Sequence, residues 1–565
     1  IFALVAVAMM MQSCNEYKTT DNGLQYKIIV DSAGSPVELG GVAYVNMKYI
    51  NEKDTFESVK ANMGMPIPIR VPDSIIFKAS LEEGLSLLSV GDSATFLVST
   101  DSLYKNILEE HHPSLYWYTS KDSMDYYFNW GKQNLKDSMT EPDFRKLLTY
   151  VTAKINCGHT TVRSSKAWGK YSDTVRLGKM FPLSMKVWED AMLVTANLNR
   201  RDSLLKRGTE VLKINGRTKE SIVDTLFDYI STDGYNRTHK FQTLSNRGFF
   251  GSLYTTLFGL SENYTIEYKD STGQIKTTSI PVYNPARDTA GRTGTRTFRQ
   301  TTPQPSKRER RRQQANTVRL LKIDSASHTA MMDLSSFGRG YGLGKFFHNS
   351  FEALQKNKIG HLIIDVRGNG GGSVTNSTLI SRYLAKQKFK VSDSLFAVAK
   401  KSPYQRYIND HFWNKLFMTF FARKKKDGYY HFGYFERHYF KPKKGNHYHG
   451  KIYILTGGNS FSATTLFVSA VIKQENVTVI GEETGGGAYG NSAWLIPDAH
   501  LPETGIRFRL PLFRLVIDKN VPKTGRGVQP EIESFPTIPD VKRGADYKLE
   551  KAMELINKDK TLGSP

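Results

Sequence analysis

The sequence predicts a multidomain protein in which α+β modules precede a C-terminal α/β core, and three observations predict it. The chain has 565 residues, more than one hydrophobic core organises, so three or four domains are expected. From Asn22 to Tyr104 it alternates apolar and polar residues with the period of half-buried strands. From Val318 onward, the short unbroken apolar runs HLIIDV, KIYIL and VTVIG alternate with helical stretches, the pattern of strands buried on both faces. With 39% apolar and 23% charged residues, the chain can build large cores.

The first segment, IFALVAVAMMMQSC, opens with eleven uncharged residues and closes on Cys14. That run is too short to span a bilayer and reads as the apolar region of a secretory signal, of which 1–13 would be the remnant. Its Met-Gln-Ser-Cys end resembles the lipobox of bacterial lipoproteins. The resemblance implies acylation of Cys14, a tether over 14–22, and a lipid-anchored place in the bacterial cell envelope, periplasmic or facing the outer membrane. The only other cysteine is Cys157. With Cys14 acylated, an internal disulfide and a thiolate metal site are both excluded. The formal charge of +24 calls for an anionic partner. No helix-turn-helix, zinc or RNA-binding signature accompanies it, so anionic lipid or glycan is favoured over nucleic acid.

Over 23–105, GLQYKIIV, VAYVNMKYI and SATFLVS read as strands and SLEEGLSLL as an amphipathic helix. The order NGLQYKII, YVNMKYINEKDTFES and FKASLEEGLSLLSVGDSATFLVSTDSLY resembles an FKBP-type peptidyl-prolyl isomerase. The resemblance implies a proline pocket lined by Tyr49, Phe56, Phe77, Leu81 and Tyr104. Two positions depart from the family: Leu81 stands where a tryptophan is usual, and Glu57 replaces an aspartate. The pattern also stops after Tyr104, before the family's last strand, so the FKBP-like domain is expected to be incomplete.

Residues 106–181 turn helical. FRKLLTYVTAKI places Phe144, Leu147, Leu148, Val151 and Ile155 on one helix face, and Gly158 in NCGHTTV ends it. GTEVLKINGRTKESIVDTLFDYI then reads strand, turn, helix. Its G-x-x-V-L-x-I-N-G core resembles a PDZ domain, which implies a module over 182–283 whose groove takes an extended peptide as an added strand. That span exceeds a compact PDZ domain and is expected to carry an insertion. Residues 284–317, almost without apolar side chains and dense in arginine, read as a disordered basic linker.

The chemistry concentrates in the core over 318–565. KIYILTGG is a strand and glycine turn, and Ala463, Leu466, Phe467, Ala470 and Val471 then mark a helix face. Ser462 falls at that helix's N-terminus, where unpaired amides favour developing negative charge. A serine there is also a common N-cap, and Ser460 competes for either role. HLIIDVRGNGGGS runs a buried strand into glycines that let backbone amides approach a ligand, as an oxyanion hole requires. Neither this segment nor GRGYGLGKF has the spacing of a nucleotide-binding loop.

HLIIDVRGNGGG, YILTGGNSFSATTLF, VIGEETGGGAYGN and GRGVQPEI occur in the order seen in S41 serine peptidases, the C-terminal processing and tricorn-core-like enzymes. The resemblance, over about 106–550, implies a crotonase-like catalytic core with an N-terminal helical subdomain and a PDZ-like insertion. It implies Ser462 as nucleophile, with the Ala463 amide and a glycine of the GGG run, Gly371, as the oxyanion hole. Processing proteases use a lysine twenty-five residues after the serine, but that position here is Gly487. The other branch takes a histidine from a GHT-like motif, which INCGHTTV supplies as His159, and a neutral imidazole suits the task of base. His111 and His112 compete, but HHPSLYWY reads as a packing segment. The third member stays open among Glu482, Glu483 and Glu531. A Cys157–His159 pair is the lesser alternative, since near neighbours in sequence rarely face each other. The expected activity is that of an exported serine endopeptidase acting on polypeptides, without metal or organic cofactor. Its rivals are a peptide-binding lipoprotein on a degenerate protease core and an FKBP-type folding factor.

Overall fold

A computed structural model describes residues 17–562 except 22–23, 47, 51–54, 58–64, 72–80, 98–99, 137–138, 175–177, 287–305 and 503. The chain forms two compact units: residues 1–110 with 401–411 and 499–507, and residues 111–400 with 412–498 and 508–565. The first unit is built on the alternating strands expected of it. Gln25–Val30 pairs antiparallel with Lys18–Thr19 and Ser93–Leu97, Val42–Val45 pairs with Ile67–Arg70, and a short helix spans Leu81–Leu85. Lys48–Ile50 pairs with Thr55–Glu57, so Tyr49 and Phe56 are cross-strand partners. Their side chains, that of Leu81, and Phe77 altogether lie outside the described residues, as does Cys14. Tyr104 is buried.

The second unit holds two cores. In the C-terminal one, Arg319–Asp324, Thr329–Leu334, His361–Asp365, Lys451–Thr456, Val477–Gly481 and Ile532–Glu533 lie side by side in that order, the first pair antiparallel and the rest parallel. The unbroken apolar runs follow from burial of both faces. Leu362, Ile364, Ile452, Ile454, Val477 and Val479 face a cluster with Phe347, Ile380, Ala463, Phe467 and Val471 from three helices. Ile363, Tyr453, Leu455 and Ile480, at alternate positions, meet Ala552 and Ile556 of the terminal helix Tyr547–Leu562. Because His361–Asp365 and Lys451–Thr456 are parallel neighbours, in register from His361 opposite Lys451 to Asp365 opposite Leu455, the loops that follow them leave the same sheet edge together. This is where open parallel sheets place ligand sites.

The other core belongs to an antiparallel sheet ordered Ile275–Pro281, Asn263–Lys269, Glu210–Ile214, Ala191–Asn197 and Leu183–Trp188. The strand, turn and helix read from GTEVLKINGRTKESIVDTLFDYI are present as Glu210–Ile214 and Lys219–Phe227. Two further helices, Arg237–Ser245 and Phe249–Phe258, separate that helix from Asn263–Lys269. The helix expected from FRKLLTYVTAKI spans Glu141–Ala153 and buries Phe144, Leu147, Leu148 and Val151, with a Thr140 cap at its start.

One expectation fails. The latter part of the basic stretch expected to be disordered is a helix, Lys307–Val318. Its start carries a capping box, in which the Ser306 hydroxyl accepts from the Glu309 amide and the Glu309 carboxylate accepts from the Ser306 amide. S-x-x-E followed by good helix formers is legible in the sequence, but the low apolar content concealed it.

Candidate functional site

Ser462 has φ 56° and ψ −120°, a backbone conformation uncommon for a residue with a Cβ, and it stands at the N-cap of the helix Ala463–Val471 without a side-chain capping bond. The ordinary N-cap reading therefore does not hold. Strain at a serine whose hydroxyl caps nothing is characteristic of functional positions. Ser460, the rival, is fully buried. Its hydroxyl donates to the Val366 carbonyl at 2.8 Å and accepts from the Gly457 amide at 3.2 Å, so it braces the turn.

The GGG loop lies directly against Ser462. Gly371 has φ +95°, and a Cβ added there would come within 2.7 Å of the Ser462 Cβ and 2.8 Å of the Ala463 nitrogen. Glycine is required by both conformation and space. Ala463 is the first residue of its helix, so its amide has no intrahelical acceptor by position. The Gly371 amide differs from expectation: it donates to the Asn369 Oδ1 at 2.9 Å. Asn369 is itself buried and fixed, its Nδ2 donating to the Leu334 carbonyl at 2.9 Å. One of the two expected oxyanion donors is thus engaged in this state.

His159 meets the serine loop through Phe461, the residue before Ser462. The two rings lie 5.0 Å apart, and the His239 ring sits 4.9 Å from Phe461. Gly158 is needed because a Cβ there would overlap the Phe461 ring. His159 is only 6% exposed, and neither ring nitrogen has a hydrogen-bond partner. Burial, with Arg509 and His239 adding, pushes its pKa down to about 3, so the imidazole is neutral.

A carboxylate that the sequence did not single out faces His159. Asp233, 2% exposed, places its Oδ1 3.9 Å from the His159 Nδ1. That oxygen accepts from the Gly158 amide at 2.9 Å, and Oδ2 accepts from the Gly487 amide at 3.3 Å. The Gly234 amide donates to the Asn156 carbonyl at 2.9 Å, locking the two loops together. Burial pushes the Asp233 pKa up to about 7 against the pull of the two amides. Asp233 lies in the segment DYISTDGYNRTH, a turn between helices that carries no motif, so only proximity identifies it. Gly487, where processing proteases carry a lysine, instead turns its amide onto this carboxylate.

The three glutamates considered for that place are occupied elsewhere, and none bonds His159. Glu482 accepts from Gln242 at 2.6 Å and pairs with the buried Lys548. Glu483 is gripped by Arg526 at 2.6 Å and accepts from the Gly527 amide at 2.6 Å. Glu531 accepts from the Val479 amide at 3.2 Å. Their proximity to the sheet edge in sequence misled, because each neutralises or ties a structural element.

The remaining competitors are structural. His112 is buried, with Nε2 2.8 Å from the Thr160 hydroxyl and Nδ1 accepting from the Ser114 amide. Burial lowers the pKa of both His111 and His112. Burial, with Asp233 nearby, pushes the Cys157 thiol up to about 11, so it is no thiolate at neutral pH. His239 was not anticipated: its Nδ1 stands 2.7 Å from the Gly458 carbonyl, which requires Nδ1–H and leaves Nε2 as the unprotonated nitrogen. Among the described residues no group of histidine, cysteine and acidic side chains could hold a metal ion.

Residues 328–534 match the family described as Peptidase family S41. No curated protein sequence matches the chain. Among solved structures, mature CPAF is similar with a TM-score of 0.54 at 15% identity, covering 82% of this chain and 97% of that one. Mature CPAF complexed with lactacystin gives 0.53 at 14% identity over 82% and 97%, and a CPAF point mutant 0.56 at 12% over 81% and 97%. At such identity the likeness is one of fold. The chain is a multidomain α/β protein with an S41 protease-like fold and an S41 peptidase domain.

Proposed function

We propose that the protein is a serine endopeptidase that cleaves polypeptides through an acyl-enzyme. The observation that carries this reading is Ser462: strained, uncapped and wedged against Gly371, with a buried neutral histidine of unbonded nitrogens packed on the adjacent Phe461. The Ser462 Oγ attacks the peptide carbonyl carbon while its proton passes to His159 Nε2. Asp233, facing Nδ1, keeps the N–H there and stabilises the imidazolium. The Ala463 amide receives the oxyanion, joined by the Gly371 amide once it leaves Asn369; each such donor contributes about 3 kcal/mol in the transition state. As the C–N bond breaks, His159 returns its proton to the leaving amine. A water, deprotonated by the same nitrogen, then hydrolyses the ester. Ser462 and His159 share no hydrogen bond in this state, and such contacts commonly tighten only with substrate bound.

The antiparallel module supports capture of extended polypeptide, in the manner of a PDZ domain. Among the described residues its outer strand Ile275–Pro281 pairs on one side only, an edge to which a peptide strand can add. The leading segment ending at Cys14 supports an envelope location through an acyl anchor. An isomerase role for the first unit rests on sequence resemblance alone and forms no part of this reading.

A fluorophosphonate probe tests the proposal. Native protein should be labelled, while Ser462→Ala and denatured protein should not. A native protein that stays unlabelled would favour the rival, a peptide-binding lipoprotein on an inactive core. A second base has one specific observation behind it, the His239 tautomer. His239→Ala that abolishes labelling while His159→Ala retains it would transfer the role to His239.

A further inference from the structure

The helix His411–Phe421 presents its apolar side to solvent. Phe412, Trp413 and Phe420 are 62%, 66% and 61% exposed, and Leu416 and Phe421 are exposed beside them. Phe412, Leu416 and Phe420 are spaced i, i+4, i+8, so they form one stripe with Trp413 at its flank. The helix is held to the fold from the opposite side, where Met418 is buried and the Phe417 ring meets Phe432 at 5.2 Å. Directly after the helix comes ARKKKDG, whose Arg423, Lys424, Lys425 and Lys426 are all exposed. Between 412 and 445 there are nine lysines and arginines against two acidic residues, Asp427 and Glu436. Exposed Tyr429, Tyr434 and Tyr439 complete the segment.

We propose that this helix and its basic border form a docking surface for an anionic phospholipid bilayer, with the helix lying in the interface plane. Phenylalanine and leucine bring no polar group to the stripe, which suits insertion among acyl chains. Tryptophan and tyrosine suit the headgroup level, and lysine and arginine the phosphates. Several large apolar side chains exposed side by side on a water-facing surface mark an interaction site. A second copy of the chain is disfavoured as occupant, because a symmetric contact would oppose two strongly basic borders. A single-stranded nucleic acid would use the aromatics by stacking but has no use for Phe412 and Leu416 as a continuous apolar stripe. The surface goes beyond the peptidase reading and does not depend on it.

Co-sedimentation of the full chain with phosphatidylcholine vesicles, with and without equimolar phosphatidylglycerol, tests it. Wild type should bind the anionic vesicles at least about tenfold more tightly, and added salt should weaken that preference. Phe412→Ser/Trp413→Ser/Phe420→Ser, and separately Lys424→Glu/Lys426→Glu, should each remove most of that preference; these positions are exposed, so folding should survive. Brominated phosphatidylglycerol should quench wild-type fluorescence more than that of Trp413→Phe. Hydrolysis of a soluble peptide should be equal in all variants that fold. Four results would overturn the proposal: no anionic preference, equal binding by wild type and variants, a patch-dependent dimer in sedimentation velocity, or patch-dependent binding of an oligonucleotide in place of vesicles.

Discussion

The Asp233 carboxylate faces His159 with an Oδ1 to Nδ1 separation of 3.9 Å while its two oxygens accept the amides of Gly158 and Gly487. The carboxylate is thus positioned by the backbone amides of Gly158, next to the histidine, and of Gly487, and it belongs to a segment far from both in sequence. In the proposed mechanism it acts through His159 and is therefore a positioning residue.

Asp233→Asn should lower kcat by about a hundred- to ten-thousandfold with little change in KM. The pH profile separates this role from a merely structural one. Burial raises the Asp233 pKa to about 7, so the carboxylate that supports the imidazolium is present above that pH and lost below it. Wild-type kcat/KM should rise through about pH 7 to a plateau, and the step should vanish in Asp233→Asn. A wild-type profile flat between pH 5 and 9, a range chosen to be about two units either side, would remove Asp233 from the mechanism.

Gly487→Lys should not restore a lysine-based mechanism. A Cβ at 487 would overlap the Gly490 carbonyl oxygen, and moving the strand to make room withdraws the amide that Asp233 accepts. Peptidase assays should find Gly487→Lys and Gly487→Ala both reduced by about a hundredfold or more, with about 1–3 kcal/mol lost from stability. An active Gly487→Lys with a new alkaline limb in its pH profile would contradict the assignment of His159.

Cys157 lies two residues from His159, yet its thiol is buried and pushed up to about 11. Native protein treated with iodoacetamide at neutral pH should keep its activity, and mass spectrometry should find Cys157 unmodified. Cys157→Ala should retain activity to within about threefold, the cost of a small packing change near the base. Loss of fluorophosphonate labelling in that variant, with folding intact, would revive a cysteine nucleophile.

Lys548 is buried against Glu482, its amine also donating to the Thr456 carbonyl at 2.9 Å, and burial pushes its pKa down to about 8. Lys548→Met removes the hydrogen-bonded partner of the buried Glu482, leaving it Gln242 and the more distant Lys186, and urea unfolding should show a loss of about 3–5 kcal/mol. Adding Glu482→Gln should recover much of it. Equal stabilities of single and double variants would mean that the pair is not coupled.

Much of the core was legible because its signals are local. Unbroken apolar runs gave strands buried on two faces, and the glycine run at 370–372 flagged a backbone able to approach a ligand. The helix after Ser462 followed from the spacing of Ala463, Leu466, Phe467 and Val471. The basic helix Lys307–Val318 was missed because propensity and a capping box, rather than an apolar face, sustain it. Asp233 was missed for a different reason. An acid beside a histidine is defined by distance in space, and three glutamates nearer in sequence to the conspicuous motifs drew attention first.

By itself, the sequence determined the buried strands of the core, through periodicity and residue type. The candidacy of Ser462 and His159, and the significance of glycine at 487, came from the ordered motifs that resemble S41 peptidases. Tertiary structure alone decided that Ser462 caps nothing, that Asn369 holds the Gly371 amide, and that Asp233 rather than a glutamate faces the histidine. Each of these depends on segments far apart in sequence meeting in space, where burial and hydrogen-bond competition, invisible in one dimension, choose among groups the sequence leaves equal.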